Sequence, residues 1–94
     1  MPTVLSKVEI EQKLQKLTGW EYQDDAINKK YLFSDFSEAL GFLVRIGIEA
    51  EKMGHHPEIF NVYNRVHITL RTHDVGNKVS DSDTLLAEII ESLV

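Results

Sequence analysis

Three patterns in the 94-residue sequence predict an α+β fold. Three segments with helical spacing of apolar residues each begin at a capping residue, Ser6, Asp35 and Ser80. Between them lie two pairs of short segments rich in β-branched and aromatic residues, each pair split by a polar break. Helices alternating with hairpins give the order α-β-β-α-β-β-α, a four-stranded antiparallel sheet with helices packed on one face. A chain of this length is expected to form a single domain over residues 1–94.

Met1 to Leu5 read as a loosely held lead-in. Ser6-Lys7-Val8-Glu9 is a capping box with Leu5 and Ile10 as its hydrophobic staple. Ile10, Leu14 and Leu17 then mark one helical face, and Gly19 closes the segment in the left-handed region. Trp20–Tyr22 and Ile27–Phe33 form the first hairpin across Gln23-Asp24-Asp25, with Ile27, Lys29, Tyr31 and Phe33 on one face. Trp20, Tyr31 and Phe33 read as core aromatics. Asp35 with Glu38 caps a second helix running to about Met53. Its apolar residues cover more than one face, so it is expected to meet another helix or another subunit as well as its own sheet. Gly54 stops it and Pro57 prevents its resumption. Ile59–Tyr63 and Val66–Thr72 make the second hairpin around Asn64-Arg65. A loop through Gly76-Asn77 leads to the last helix, capped by Ser80 with Asp83 and carrying Leu86, Ile89, Ile90 and Leu93 at helical spacing.

Composition narrows the function classes. The net charge of −5 argues against a nucleic-acid surface, which needs clustered Lys and Arg. No apolar run reaches the roughly 18 residues of a membrane span. The N-terminal segment has neither the h-region of a secretory signal nor the Arg-rich character of a transit peptide, and a cytoplasmic location is expected. The absence of Cys excludes disulfides and thiolate metal ligands.

Chemistry concentrates in Glu51–Asp74, which holds all four histidines, His55, His56, His67 and His73. Pairing Tyr63 with Val66 would set Ile59 opposite Leu70 and His56 opposite His73, gathering His55, His56 and His73 at one end of the hairpin. His67, six residues before His73, lies ~20 Å away along the strand at about 3.3 Å per residue and reads as a half-exposed strand residue. Imidazoles titrate near neutral pH, so a cluster of them suits general acid and general base work. Glu51, one helical turn before His55, is placed to hold its tautomer. The nearest hydroxyls are Tyr63, Thr69 and Thr72 and no nucleophile stands out, so the expected chemistry is proton transfer without a covalent intermediate. Three histidines with a carboxylate also suit zinc. No HExxH is present and adjacent histidines seldom serve one ion, so no metal is expected.

The blocks Glu51-Lys52-Met53-Gly54-His55-His56-Pro57-Glu58, Tyr63-Asn64-Arg65-Val66, Thr72-His73-Asp74 and Asp83 resemble the signature of the pterin-4a-carbinolamine dehydratases, from about Gly19 to the last helix. The resemblance implies a hydro-lyase without cofactor that removes water from the 4a-hydroxy-tetrahydropterin left by aromatic amino-acid hydroxylases, giving quinonoid dihydropterin and recycling the cofactor. It implies catalytic roles for His55, His56 and His73. Substrate contacts would fall to Gly54, Arg71, Thr72 and Asp74, with Glu51 and Asp83 as supporting carboxylates of the binding site. Two departures stand out. Ile59 occupies a position that is Trp in many members, and the loop Gly76–Ser80 is one residue longer than the common Gly-Gly-Leu-Thr. The resemblance also implies a homodimer or homotetramer. It allows a protein partner, because some animal members act as transcription coactivators, which would add a nuclear location.

Overall fold

The computed structural model describes residues 2–94. Its elements run α1 (Lys7–Leu14), β1 (Glu21–Gln23), β2 (Ala26–Leu32), α2 (Phe36–Met53), β3 (Glu58–Val62), β4 (Arg65–Leu70) and α3 (Asp81–Ser92), with one 3₁₀ turn at His73–Val75. The four strands form one antiparallel sheet in the order β1-β2-β4-β3. This is the architecture expected from the alternation of caps and hairpins.

The helix starts follow the capping rules. Ser6 accepts from the Glu9 N–H at 3.2 Å while Glu9 accepts from the Ser6 N–H at 2.8 Å. The Asp35 carboxylate accepts from the Glu38 N–H at 2.8 Å. Helix α1 ends earlier than expected, at Gln15, and tight turns through Leu17 carry the chain to Gly19, whose φ of 88° is the expected left-handed value. The first hairpin closes on two residues, Asp24 and Asp25, both with φ near 55°, the geometry of a twist-matched type I′ turn.

The core lies between the helices and one sheet face. Ile27, Tyr31, Val66, Ile68 and Leu70 from the sheet pack against Ile10 of α1, Ala39, Phe42, Ile46 and Ala50 of α2, and Leu86, Ala87 and Ile90 of α3. Trp20 meets Tyr31 edge-on, Tyr31 stacks on Phe33 and both pack at a tilt against Phe42, so the aromatics are core residues as expected. Below Tyr31 a half-buried polar cluster ties α3 to the sheet. Glu91 receives hydrogen bonds from the Tyr31 hydroxyl and, at 3.0 Å, from Lys29 Nζ. Burial pushes the Glu91 carboxyl up, but these hydrogen bonds outweigh it and hold the carboxyl below the usual range. Burial, with Glu91 beside it, pushes the Tyr31 phenol up.

Two expectations are corrected. The lead-in is anchored: Thr3 N–H donates to Asp81 Oδ1 at 2.9 Å, Leu5 N–H to Val79 O and Asp81 N–H to Thr3 O, both at 3.0 Å. Met1 lies outside the described residues. The second hairpin turns on Tyr63-Asn64 instead of Asn64-Arg65, which moves the register by two residues. Val62 pairs with Arg65, Ile59 with Ile68 and Glu58 with Thr69. The cause is side-chain bonding. Asn61 Nδ2 donates to both Tyr63 O and Arg65 O, at 3.2 and 2.9 Å, while Asn64 exchanges hydrogen bonds with the Phe33 backbone. Tyr63 therefore takes the positive φ, 50°. A shift of two keeps every side chain on its face.

Candidate active site

Helix α2 ends where Gly54 adopts φ 67° and returns its N–H to Ala50 and Glu51, followed by the His55 N–H bonding Ala50 O at 3.1 Å. This left-handed cap reverses the chain and sends the two consecutive histidines in different directions. Opposite them, β4 ends at Leu70 and the chain continues through Arg71 and Thr72 into the 3₁₀ turn that starts at His73. An isolated bridge between Thr72 and Lys78 pins the base of that turn.

These two segments enclose a polar cleft of about 140 Å³ lined by Gly54, His55, His56, Arg71, Thr72, His73 and Asp74. Larger concavities lie elsewhere on the surface, and chemistry rather than size singles this one out. The histidines meet here although the expected pairing of His56 with His73 does not form. Extended by count, the observed register sets His56 level with Arg71, and His73 reaches the cleft from the turn beyond the strand. His67 lies on β4, half-buried, with its Nε2 3.3 Å from Asn28 Oδ1.

Each of the three imidazoles has its own carboxylate. His55 Nε2 lies 2.6 Å from Asp83 Oδ1, a pair in which Asp83 is fully buried and His55 13 % exposed. His56 Nε2 lies 2.7 Å from Glu51 Oε1, with both side chains exposed. His73 Nε2 is 3.8 Å from Glu58 Oε2, which also stands 2.9 Å from Arg71 Nε. The Arg71 Nε–H is not directed at that oxygen, so the attraction is Coulombic without a hydrogen bond. Among the described residues no three of these groups converge as a metal ligand set.

Asp83 belongs to a buried network whose proton directions can be worked out. Its Oδ2 accepts from the Ser80 N–H at 2.9 Å and from Thr72 Oγ1 at 2.8 Å, and the Thr72 and Ser80 hydroxyls are 2.5 Å apart. A carboxylate only accepts, so Thr72 gives its single proton to Asp83, and Ser80 must give its own to Thr72. Ser80 in turn accepts from the Ser82 N–H. With Asp83 as acceptor, His55 Nε2 is the protonated nitrogen, leaving Nδ1 free to accept.

The expected partner of His55, Glu51, is thus corrected: Glu51 takes His56, and Asp83 takes His55. The longer loop before Ser80 does not displace Asp83 from its capping box. Ile59, at the position of the family's frequent Trp, is half-exposed on β3 away from the cleft lining. Sequence reasoning misses Glu58 and Ser80 as site residues. The hairpin in its true register points to Glu58, which it sets diagonal to Arg71.

The family model described as pterin 4 alpha carbinolamine dehydratase matches residues 3–93. A protein of Opitutus terrae that has been assigned the name pterin-4-alpha-carbinolamine dehydratase is 47 % identical over 93 residues, covering 99 % of this chain and 96 % of its own. The crystal structure of a transcriptional coactivator/pterin dehydratase from Brucella melitensis superposes with a TM-score of 0.92 at 40 % identity, over 97 % of this chain and 98 % of that one. A pterin dehydratase-like protein identified as a RuBisCO assembly factor in the alpha-carboxysome shares the fold, with a TM-score of 0.67 at 23 % identity over 80 % of this chain and 88 % of that one. The chain belongs to the pterin-4-alpha-carbinolamine dehydratase family of hydro-lyases.

Proposed function

We propose that the chain dehydrates 4a-hydroxy-tetrahydropterin in the histidine cleft, by proton transfer alone, as one step in the recycling of tetrahydropterin, whose reduction a separate reductase would complete. The observation that carries the reading is the set of three imidazoles around one cleft, each beside a separate carboxylate. In the reaction the C4a–O bond breaks, the departing hydroxyl takes a proton and leaves as water, and a ring nitrogen gives up its proton to form the quinonoid dihydropterin. His55, with Nε2 committed to Asp83, accepts the ring-nitrogen proton at Nδ1, and the buried carboxylate stabilises the resulting imidazolium. His56 and His73, in wetter surroundings, supply the proton to the hydroxyl. Gly54, Arg71, Thr72 and Asp74 border the bound ring, and Glu51 orients His56. No metal or cofactor takes part.

The test follows the decay of freshly generated 4a-hydroxy-tetrahydropterin by ultraviolet absorbance. Wild type is expected to accelerate it, with or without chelator, and His56→Ala to be slower by ~10²-fold or more. Decay at the buffer rate with wild type, or activity lost to chelator, refutes the reading.

A second reading rests on α2. Phe36, Leu40, Val44 and Ile48, four residues apart, form an exposed apolar stripe on the side away from the core. Homodimer or homotetramer formation through this stripe fits it. Binding of another protein fits it as well, and the Brucella melitensis relative, a transcriptional coactivator as well as a pterin dehydratase by name, supports that role. A monomeric mass at micromolar concentration refutes self-association. We place the protein in the cytoplasm; no helix among the described residues is long and apolar enough to cross a membrane.

A further inference from the structure

The sheet face not covered by helices carries a concavity larger than the histidine cleft. It measures about 520 Å³, within the range of small-molecule sites, and its lining includes Lys30, Leu32, Phe60, Arg65 and His67. The register explains the grouping. Lys30, His67 and Phe60 form one row across β2, β4 and β3, and Leu32, Arg65 and Val62 form the next. Lys30, Leu32, Arg65 and His67 alternate with core residues along β2 and β4 and therefore point to the bare face, and Phe60 and Val62 face the same way because they pair with His67 and Arg65.

The lining has two properties that point to a ligand. Leu32 on β2 is 75 % exposed and Phe60 on β3 63 % exposed, which leaves an apolar side chain in water on either side of β4. Between them, Lys30 and Arg65 stand one diagonal step apart on neighbouring strands, about 7–8 Å between backbones. Neither takes part in an ion pair among the described residues, and no Asp or Glu lines the concavity. In a chain with 15 acidic and 10 basic residues, two cations facing one hollow with no acid are out of keeping with the rest of the surface. A single anion between them relieves their mutual repulsion, and an attached apolar body covers Phe60.

We propose that this hollow binds an amphipathic organic anion of small-molecule size, one carboxylate, sulfonate or phosphate joined to an aromatic or branched aliphatic body. The anionic group sits between Lys30 and Arg65, next to Leu32, and the body extends over β4 onto Phe60. From His67 to Arg71 is four residues along the strand direction, ~13 Å at about 3.3 Å per residue, so this ligand does not overlap the histidine cleft. The proposal does not rest on the dehydratase reading.

The test uses the full chain and two probes with the same aromatic body, anilinonaphthalene sulfonate and the uncharged phenylnaphthylamine, titrated by fluorescence. The sulfonate is expected to saturate one site, binding roughly tenfold or more tighter than the neutral probe. Lys30→Gln with Arg65→Gln should remove that preference, and Phe60→Ser should weaken both probes. All three positions are exposed, and circular dichroism verifies the fold of each variant. In wild type, sulfonate-induced NMR shifts should centre on Phe60 and His67. Equal affinity for the two probes, sulfonate binding indifferent to the double variant, or shifts centred on α2 would each overturn the proposal.

Discussion

Replacing Asp83 by Asn tests the His55 dyad with the least change of shape. The fully buried carboxylate has Oδ1 against His55 Nε2 at 2.6 Å and Oδ2 accepting from Thr72 and Ser80 at 2.8 and 2.9 Å. In Asp83→Asn the amide oxygen can keep the two bonds at the Oδ2 position. The amide nitrogen then faces His55 and, being a donor only, forces Nε2 to become the acceptor. The imidazole proton moves to Nδ1, the atom that takes the substrate proton in the proposed reaction. Loss of a positioned general base is typically worth ~10² to 10⁴ in rate, and we expect kcat to fall by about that factor. The charge-assisted contact to His55 is worth about 2 kcal/mol, which lowers Tm by about 8–16 °C in a domain of this size. Asp83→Ala should cost more, about 3–5 kcal/mol, because it strands Thr72, Ser80 and His55 together. The assays are the absorbance decay of the hydroxylated pterin and a thermal melt. A folded Asp83→Asn variant with kcat within about threefold of wild type would refute the argument.

Two further outcomes follow from positions outside that dyad. The Glu91 carboxyl is held below its usual range in the folded chain, so its contribution to stability is complete above the unfolded value, about 4.3, and disappears as pH falls through and below it. Glu91→Gln should therefore unfold at lower urea than wild type at pH 7, with the gap narrowing by pH 3; a gap that widens in acid contradicts the assignment. Gly54→Ala meets no atom within 4 Å at its new Cβ, so its cost is the strain of φ 67° alone, about 1–2 kcal/mol. Gly54→Asn should cost less, and equal melting of the two variants would show that the cap is not under conformational control.

Local chemistry is legible in the sequence, and long-range chemistry is not. Ser6, Asp35 and Ser80 mark helix starts because each bonds a backbone N–H within a few residues of itself. Gly54 and Pro57 mark the reversal for equally local reasons. Local rules misplace the turn at Tyr63-Asn64 by one residue because Asn64 is held by Phe33, 31 positions away, a partner that no such rule selects. Helical spacing assigns Glu51 to His55, yet the left-handed cap at Gly54 turns His55 toward α3 and leaves Glu51 for His56. The cleft lining is readable because both of its segments are short and contiguous. The pairing of each imidazole with its carboxylate needs the fold.

The clamp of Thr3 and Leu5 on Val79–Asp81 has a consequence for biosynthesis. His55 leaves the ribosome 28 positions before Asp83, an interval of roughly 1–6 s at about 5–20 residues per second. Throughout that interval the imidazole has no buried carboxylate to fix its proton. The segment bearing Ser80 and Asp83 is itself braced by Thr3, 78 positions upstream of Asp81, so an early part of the nascent chain waits for a much later one. The first hairpin and α2 can collapse while translation continues, but the histidine cleft is completed only once α3 has emerged.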